Sequence, residues 1–191
     1  VESLTSPGLT LERTRLGCYG GLLGTRVQTA RSCIRPTFDE FLRCEDVVFD
    51  GAQNGFWSDG ARTIPGLSFG GWGTTLINCT FYDLANSMIH HAANRGRSIV
   101  NVIGCAFNPI NISPSRCFDI TNIEGINVTG NQFTPSTGSQ PTQEWIRLLG
   151  STGAIDGNTF SGPSSKLGTI GGVDPSSIRF SNNRVSCQGG L

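Results

Sequence analysis

Three short segments of this chain carry an apolar residue followed by a side chain able to do chemistry. They are Met88-Ile89-His90-His91, Cys117-Phe118-Asp119-Ile120 and Trp145-Ile146-Arg147-Leu148, with Thr169-Ile170-Gly171-Gly172 as a fourth member. If Ile89, Phe118, Ile146 and Ile170 face a core, the period-two alternation of a strand sends His90, Asp119 and Arg147 outward from three successive layers. Such a column suits general acid–base work, Asp119 holding His90 or Arg147 gripping a substrate carboxylate. The plainer and preferred reading is an exposed ladder of ion pairs, each contributing well under about 1 kcal/mol. On that reading Asp119→Asn leaves the protein's behaviour nearly unchanged.

A second cluster lies in Asn54-Gly55-Phe56-Trp57-Ser58-Asp59-Gly60, read as a loop. Phe56 and Trp57 beside Asp59 make a sugar or partner platform, two ring faces with an acceptor next to them. The bland alternative, preferred again, is an aromatic plug over the first layer of core. Pro135-Ser136-Thr137-Gly138-Ser139-Gln140-Pro141 reads as another variable loop. Glycoside hydrolysis needs two facing carboxylates about 5–10 Å apart. Of Asp83, Asp119, Glu124, Glu144, Asp156 and Asp174, only Asp119 and Glu144 offer a route to such a pair, through loops. A calcium-assisted lyase needs clustered acids and an Arg or Lys base, and the spacing assembles no such cluster. No G-x-S-x-G elbow is present. The seven cysteines form no CxxC pair and only His90 and His91 accompany them, so neither a metal site nor a cofactor is expected. Three Asn-x-Ser/Thr sequons, at Asn78, Asn111 and Asn127, read as chance.

What must position these residues is a repeat. Leu76-Ile77-Asn78-Cys79-Thr80-Phe81 is matched by Val102-Ile103-Gly104-Cys105-Ala106-Phe107 and by Val128-Thr129-Gly130-Asn131-Gln132-Phe133. Ile155-Asp156-Gly157-Asn158-Thr159-Phe160 follows, then a worn copy, Phe180-Ser181-Asn182-Asn183-Arg184-Val185. The fourth positions, Cys79, Cys105, Asn131, Asn158 and Asn183, are spaced 26, 26, 27 and 25 residues apart. First and sixth positions are apolar columns, and the Gly or Asn at the third asks for a left-handed turn. A unit this short buries its apolar face only by stacking on its neighbours, about 4.8 Å apart. The fourth positions then form a ladder whose asparagine amides bond from layer to layer, and the phenylalanines form a second stack.

The h-x-[Gly/Asn]-[Asn/Cys]-x-Phe unit, over about residues 70–186, resembles the pectate-lyase-like β-helix superfamily, which includes polysaccharide lyases, glycoside hydrolases and phage tailspikes. The resemblance implies an all-β fold, a right-handed parallel β-helix with coils of about 26 residues. It also implies a homotrimer, the usual state of the phage members. Residues 44–191 are assigned to this solenoid and residues 1–43 to an N-terminal segment of early coils or cap. There the register rests on Cys18 and Cys44, which leaves Gly20 and Asp46 in the place of the sixth-position Phe. Thr37 to Cys44 reads alternatively as a helical turn or two, and Gly17–Gly24 as turns.

Composition narrows the function. With 14 basic and 14 acidic residues there is no field to concentrate nucleic acid, and no apolar run suits membrane insertion. Only Lys166 among the basic residues is a lysine, which favours fixed arginine contacts. The chain opens without a charged and then apolar leader or an initiator Met, so a secretion signal is not expected and a fragment is. The preferred reading is a structural or attachment module of a phage-type virion, a tailspike or fibre segment or capsid-decorating protein. It binds partner chains or a host-surface polysaccharide without turnover. The alternative is a secreted polysaccharide lyase or glycoside hydrolase, with Arg95, Arg97, Arg116 and Arg147 holding uronates in a groove along the helix. The ending Val185–Leu191 carries no evident capping helix, so a partner or a symmetric oligomer is expected to cover that end.

Overall fold

The computed structural model describes residues 2–3, 9–17, 32–36, 41–51, 54–58, 73–82, 87–92, 99–108, 116–134, 144–162, 167–171 and 177–186. They form strands and tight turns, with no α-helix among them. The first strands are β1 (Glu2–Ser3), β2 (Leu9–Glu12), β3 (Arg15–Gly17), β4 (Ser32–Pro36), β5 (Phe41–Glu45), β6 (Val48–Asp50) and β7 (Asn54–Ser58). Next come β8 (Gly73–Ile77), β9 (Thr80–Tyr82), β10 (Ser87–Ala92), β11 (Ile99–Ile103), β12 (Ala106–Phe107), β13 (Arg116–Thr121) and β14 (Gly125–Thr129). The last are β15 (Gln132–Phe133), β16 (Glu144–Leu149), β17 (Gly153–Asp156), β18 (Thr159–Ser161), β19 (Gly168–Gly171), β20 (Ile178–Ser181) and β21 (Arg184–Ser186).

Every third strand joins the same sheet, which gives three seven-stranded sheets ordered β1-β4-β7-β10-β13-β16-β19, β2-β5-β8-β11-β14-β17-β20 and β3-β6-β9-β12-β15-β18-β21. Neighbouring strands run parallel in all three. Laying one strand in each sheet before returning to the first is consistent with a parallel β-solenoid, and each strand triplet is called a tier below.

The core lies between the sheets. Leu76, Val102, Val128 and Ile155 pair in register and are buried, one above another. Phe49, Phe81, Phe107, Phe133 and Phe160 stack nearly parallel, with ring centroids 4.5, 4.8, 4.6 and 4.5 Å apart. That interval is the inter-strand spacing, so the pleat sets the aromatic contact. One residue per tier bends the chain from the second sheet into the third. Arg13, Asp46, Asn78, Gly104, Gly130, Gly157 and Asn182 occupy this place, all with φ between 47° and 66°. Left-handed backbone costs little for Gly and is tolerated by Asn and Asp, which explains the residue types there.

Several expectations need correction. Cys44 pairs with Leu76, a first-position residue, so Cys44 is not in the ladder and Val47 fills the fourth position of its tier. Phe49 pairs with Phe81, so the sixth-position Phe is present after all. A small buried thiol fits either column, and cysteine identity was therefore a poor guide to register. Ile170 pairs with Leu148 and not with Ile146, a slip of two residues that keeps the same face. Finally, Asn54–Ser58 is not a loop but strand β7. The boundary drawn between residues 43 and 44 falls inside β5, and β1 to β4 belong to the same three sheets. Of the span read as a helical turn, Phe41 to Cys44 lies in that strand.

Candidate functional site

The first sheet brings the two sequence clusters into one row. Trp57 of β7 pairs with His90 of β10, His90 with Asp119 of β13, Asp119 with Arg147 of β16, and Arg147 with Thr169 of β19. Phe56 sits one position earlier, in the row of Ile89, Phe118 and Ile146. Asp59, Arg95, Arg97 and the Pro135–Pro141 loop lie outside the described residues, as do the side chains of Phe56, Trp57 and His90.

Around Asp119 the outer face carries a closed charge network. Arg147 donates to both Asp119 oxygens, Nε to Oδ1 at 2.8 Å and Nη2 to Oδ2 at 2.7 Å. Arg116 Nε donates to Glu144 Oε1 at 2.5 Å, and its Nη1 stands 3.8 Å from Asp119 Oδ2. Thr169 donates its hydroxyl to Glu144 Oε2 at 2.7 Å. All four carboxylate oxygens are thus engaged. The acids are deeply buried while the arginine side chains remain 28% and 30% exposed, so the guanidiniums form a lid over the carboxylates. The expectation of an exposed ladder is corrected. These are buried charges, for which removing one partner is costly.

Two residues of this network, Arg116 and Glu144, were not singled out as partners from sequence. Strand alternation would put residues 116 and 119 on opposite faces. The pairing, however, joins Arg116 to Glu144 and Phe118 to Ile146 while stepping over Cys117 and Trp145, which are buried. A signal was present: Arg116-x-x-Asp119 above Glu144-x-x-Arg147 is a charge square with signs reversed between tiers.

The inner ladder is polar at one end and sulfur-lined at the other. Asn158 Oδ1 accepts from Asn131 N and Nδ2, both at 2.9 Å, and Asn183 Oδ1 does the same for Asn158. Each amide also donates back to the preceding tier: Asn131 to Val102 O, Asn158 to Val128 O and Asn183 to Ile155 O. Asn131 Oδ1 accepts from Cys105 N at 2.8 Å, where the amide run stops. Beyond it, Cys105 Sγ donates to Leu76 O at 3.6 Å and Cys79 Sγ to Cys44 O at 3.5 Å. Burial, then the Cys79 charge, push the Cys44 thiol up to about 12, and burial raises Cys117. These thiols are inert as nucleophiles, since the thiolate is the reactive form. Cys44, Cys79, Cys105 and Cys117 are buried free thiols and Cys33 is buried, while Cys18 and Cys187 lie outside the described residues.

Among the described residues no group of three or more His, Cys, Asp or Glu is placed to hold a metal ion. Among them, too, no helix is long and apolar enough to cross a membrane. Comparison of the chain with protein families, characterised proteins and solved structures finds no match in any of the three.

Proposed function

We propose that the chain is a right-handed parallel β-helix with coils of about 26 residues, acting as a structural or attachment module of a phage-type virion. Right-handedness follows the strong preference of parallel strand crossovers. The module binds partner chains or a host-surface polysaccharide through its outer faces, as a homotrimer, and turns nothing over.

One observation carries this reading. Where the sequence offered its best catalytic column, every oxygen of Asp119 and Glu144 already accepts from an arginine or a hydroxyl. A general acid needs a carboxyl that keeps its proton, and a base needs a lone pair free to take one. Paired this way the two acids support the sheet instead, and the half-exposed guanidiniums present a rigid surface.

The test pairs light scattering at high dilution with incubation on a panel of acidic polysaccharides. A trimer that binds glycan without releasing reducing ends or unsaturated sugars is expected. Turnover that vanishes in a folded Asp119→Asn variant overturns the reading and restores the lyase or glycosidase.

A further inference from the structure

We infer that the second and third sheets are the subunit interface of a trimer, the outer face of the second sheet in one copy packing on the outer face of the third sheet in the next. The inference rests on the homotrimer proposed above and names the faces that build it.

Residues 73–82, 99–108 and 125–134 each supply one tier of both sheets, from β8 and β9 to β14 and β15. These thirty residues contain no Asp, Glu, Lys, Arg or His. Across the chain 15% of residues are charged, a rate that puts about four or five in any thirty. The first sheet, by contrast, carries Arg116, Asp119, Glu144 and Arg147. Depletion of charge marks the centre of protein–protein interfaces. Apolar side chains stand on the same surface: Ile99 is 51% exposed, and Ile77 and Ile103, paired in register, are half-buried. The polar groups beside them already bond to one another. Asn101 Nδ2 donates to Thr75 Oγ1 at 3.2 Å, Thr129 Oγ1 to Asn127 Oδ1 at 2.6 Å and Thr134 Oγ1 to Asn108 Oδ1 at 2.5 Å. Covering such pairs costs less than covering bare groups.

The occupant is a second copy of this chain. A charged polysaccharide finds no counter-charge on these tiers, whereas another copy brings a face equally neutral and with the same tier spacing of about 4.8 Å. Between the two sheets the chain turns on one exposed residue per tier, here Asn78, Gly104 and Gly130. Ile77, Ile103 and Thr129 flank that turn on one side, and Thr80, Ala106 and Gln132 on the other. Set level around an axis parallel to the solenoid, the first row of one copy meets the second row of the next, so Ile103 seats on the small Ala106. One row further from the turn, Asn101 meets Asn108. Charges beyond the neutral tiers agree with this contact. Glu12 comes to Arg15, both exposed, Glu45 to Val48, and Asp156 to Thr159. Among the described residues no two like charges of one tier face each other across it.

A two-fold contact of either sheet with itself leaves the other neutral face in water. A heterologous contact of one sheet on the other covers both, and three copies close it into a ring. The first sheet then lies on the outside, where the half-exposed guanidiniums of Arg116 and Arg147 reach a partner or glycan.

The experiment is light scattering on the full chain, with circular dichroism to verify folding. Ile103→Glu should lower the mass of the trimer to one third, and Thr121→Glu, on the first sheet, should leave it unchanged. Ala106→Glu is the second variant if Ile103→Glu does not fold. Co-expressed Asn101→Cys and Asn108→Cys copies should join through a disulfide on oxidation, and neither should link to itself. A folded Ile103→Glu or Ala106→Glu that stays a trimer overturns this inference and leaves the homotrimer standing. An Asn101→Cys copy linked to its like marks a two-fold contact and overturns it as well. Wild type that is monomeric at every concentration overturns both the interface and the homotrimer.

Discussion

The fourth-position column is built in two halves that share a backbone and differ in chemistry. Asn131 and Asn158 bond both backward to a carbonyl and forward to the next amide, and Asn183 closes the run with a backward bond to Ile155 O. The Cys79 and Cys105 side chains make no forward bond and only donate, to carbonyls of their own and the preceding tier, through sulfur contacts of 3.4 to 3.6 Å. What the column requires is therefore a small side chain that satisfies carbonyls of its own and the preceding tier. Amide-to-amide bonding is an addition of the C-terminal half. The thiol half relies on packing, beside a phenylalanine stack that runs unbroken through both halves from Phe49 to Phe160. A thiol is a weak donor and adds little polar energy.

The largest predicted effect tests that contrast. Asn158→Leu strips partners from Asn131 N, one Asn131 Nδ2 hydrogen and Val128 O, while Asn183 Oδ1 keeps the backbone N–H of residue 158, and should cost about 3 kcal/mol in urea unfolding at about 1 kcal/mol per orphaned group. Cys79→Ala should cost only about 1 kcal/mol. Equal losses would mean that the two halves are not different in kind.

The outer charge network supplies the next test. Arg147→Leu leaves the buried Asp119 without its bidentate partner and should destabilise by about 3 kcal/mol. A cost near zero, as for a surface pair, would return this face to the exposed ladder first expected.

A third contrast is in pH. The Cys44 thiol keeps its proton in the fold up to about 12, against an ordinary 9.0, while the unfolded chain releases it. Stability is then complete below pH 9 and falls as pH rises toward 12, by about 1.4 kcal/mol per pH unit from this group. Cys44→Ala should flatten the decline in urea midpoint between pH 8 and about 10.5 by that share. An unchanged slope would show that burial of this thiol is not what the alkaline limb reports.

The smallest effect is a gain. Cys105→Asn should carry the amide run one tier further, bonding to Asn131 and to Leu76 O, which Cys105 Sγ now occupies. About 1 kcal/mol of added stability is expected from the extra bonds. A loss would mean that the thiol half is spaced too tightly for an amide.

Much of this was legible before any coordinates. The four-residue stretch from the first position to the fourth predicted strand, left-handed turn and ladder, because spacing and residue type there answer to backbone geometry alone. In the N-terminal part the same reasoning slipped by three residues. Cys44 and Val47 are both small and apolar, and Asp46 and Arg13 do not advertise a left-handed turn as Gly does. The charge network was half legible. Asp119 and Arg147 were placed in one column, but Arg116 and Glu144 join them only because the pairing steps over Cys117 and Trp145.

The sequence by itself determined the periodic parts: which residues face inward, where each tier turns, and that neighbouring tiers must stack to bury a core. These follow from local sterics and from apolar spacing, which a single chain displays openly. Only the tertiary structure decided which acid each arginine holds and that Trp57 joins the row of His90, Asp119 and Arg147. Those facts depend on register between residues some 25 to 35 positions apart, and a shift of one position moves a side chain to the other face.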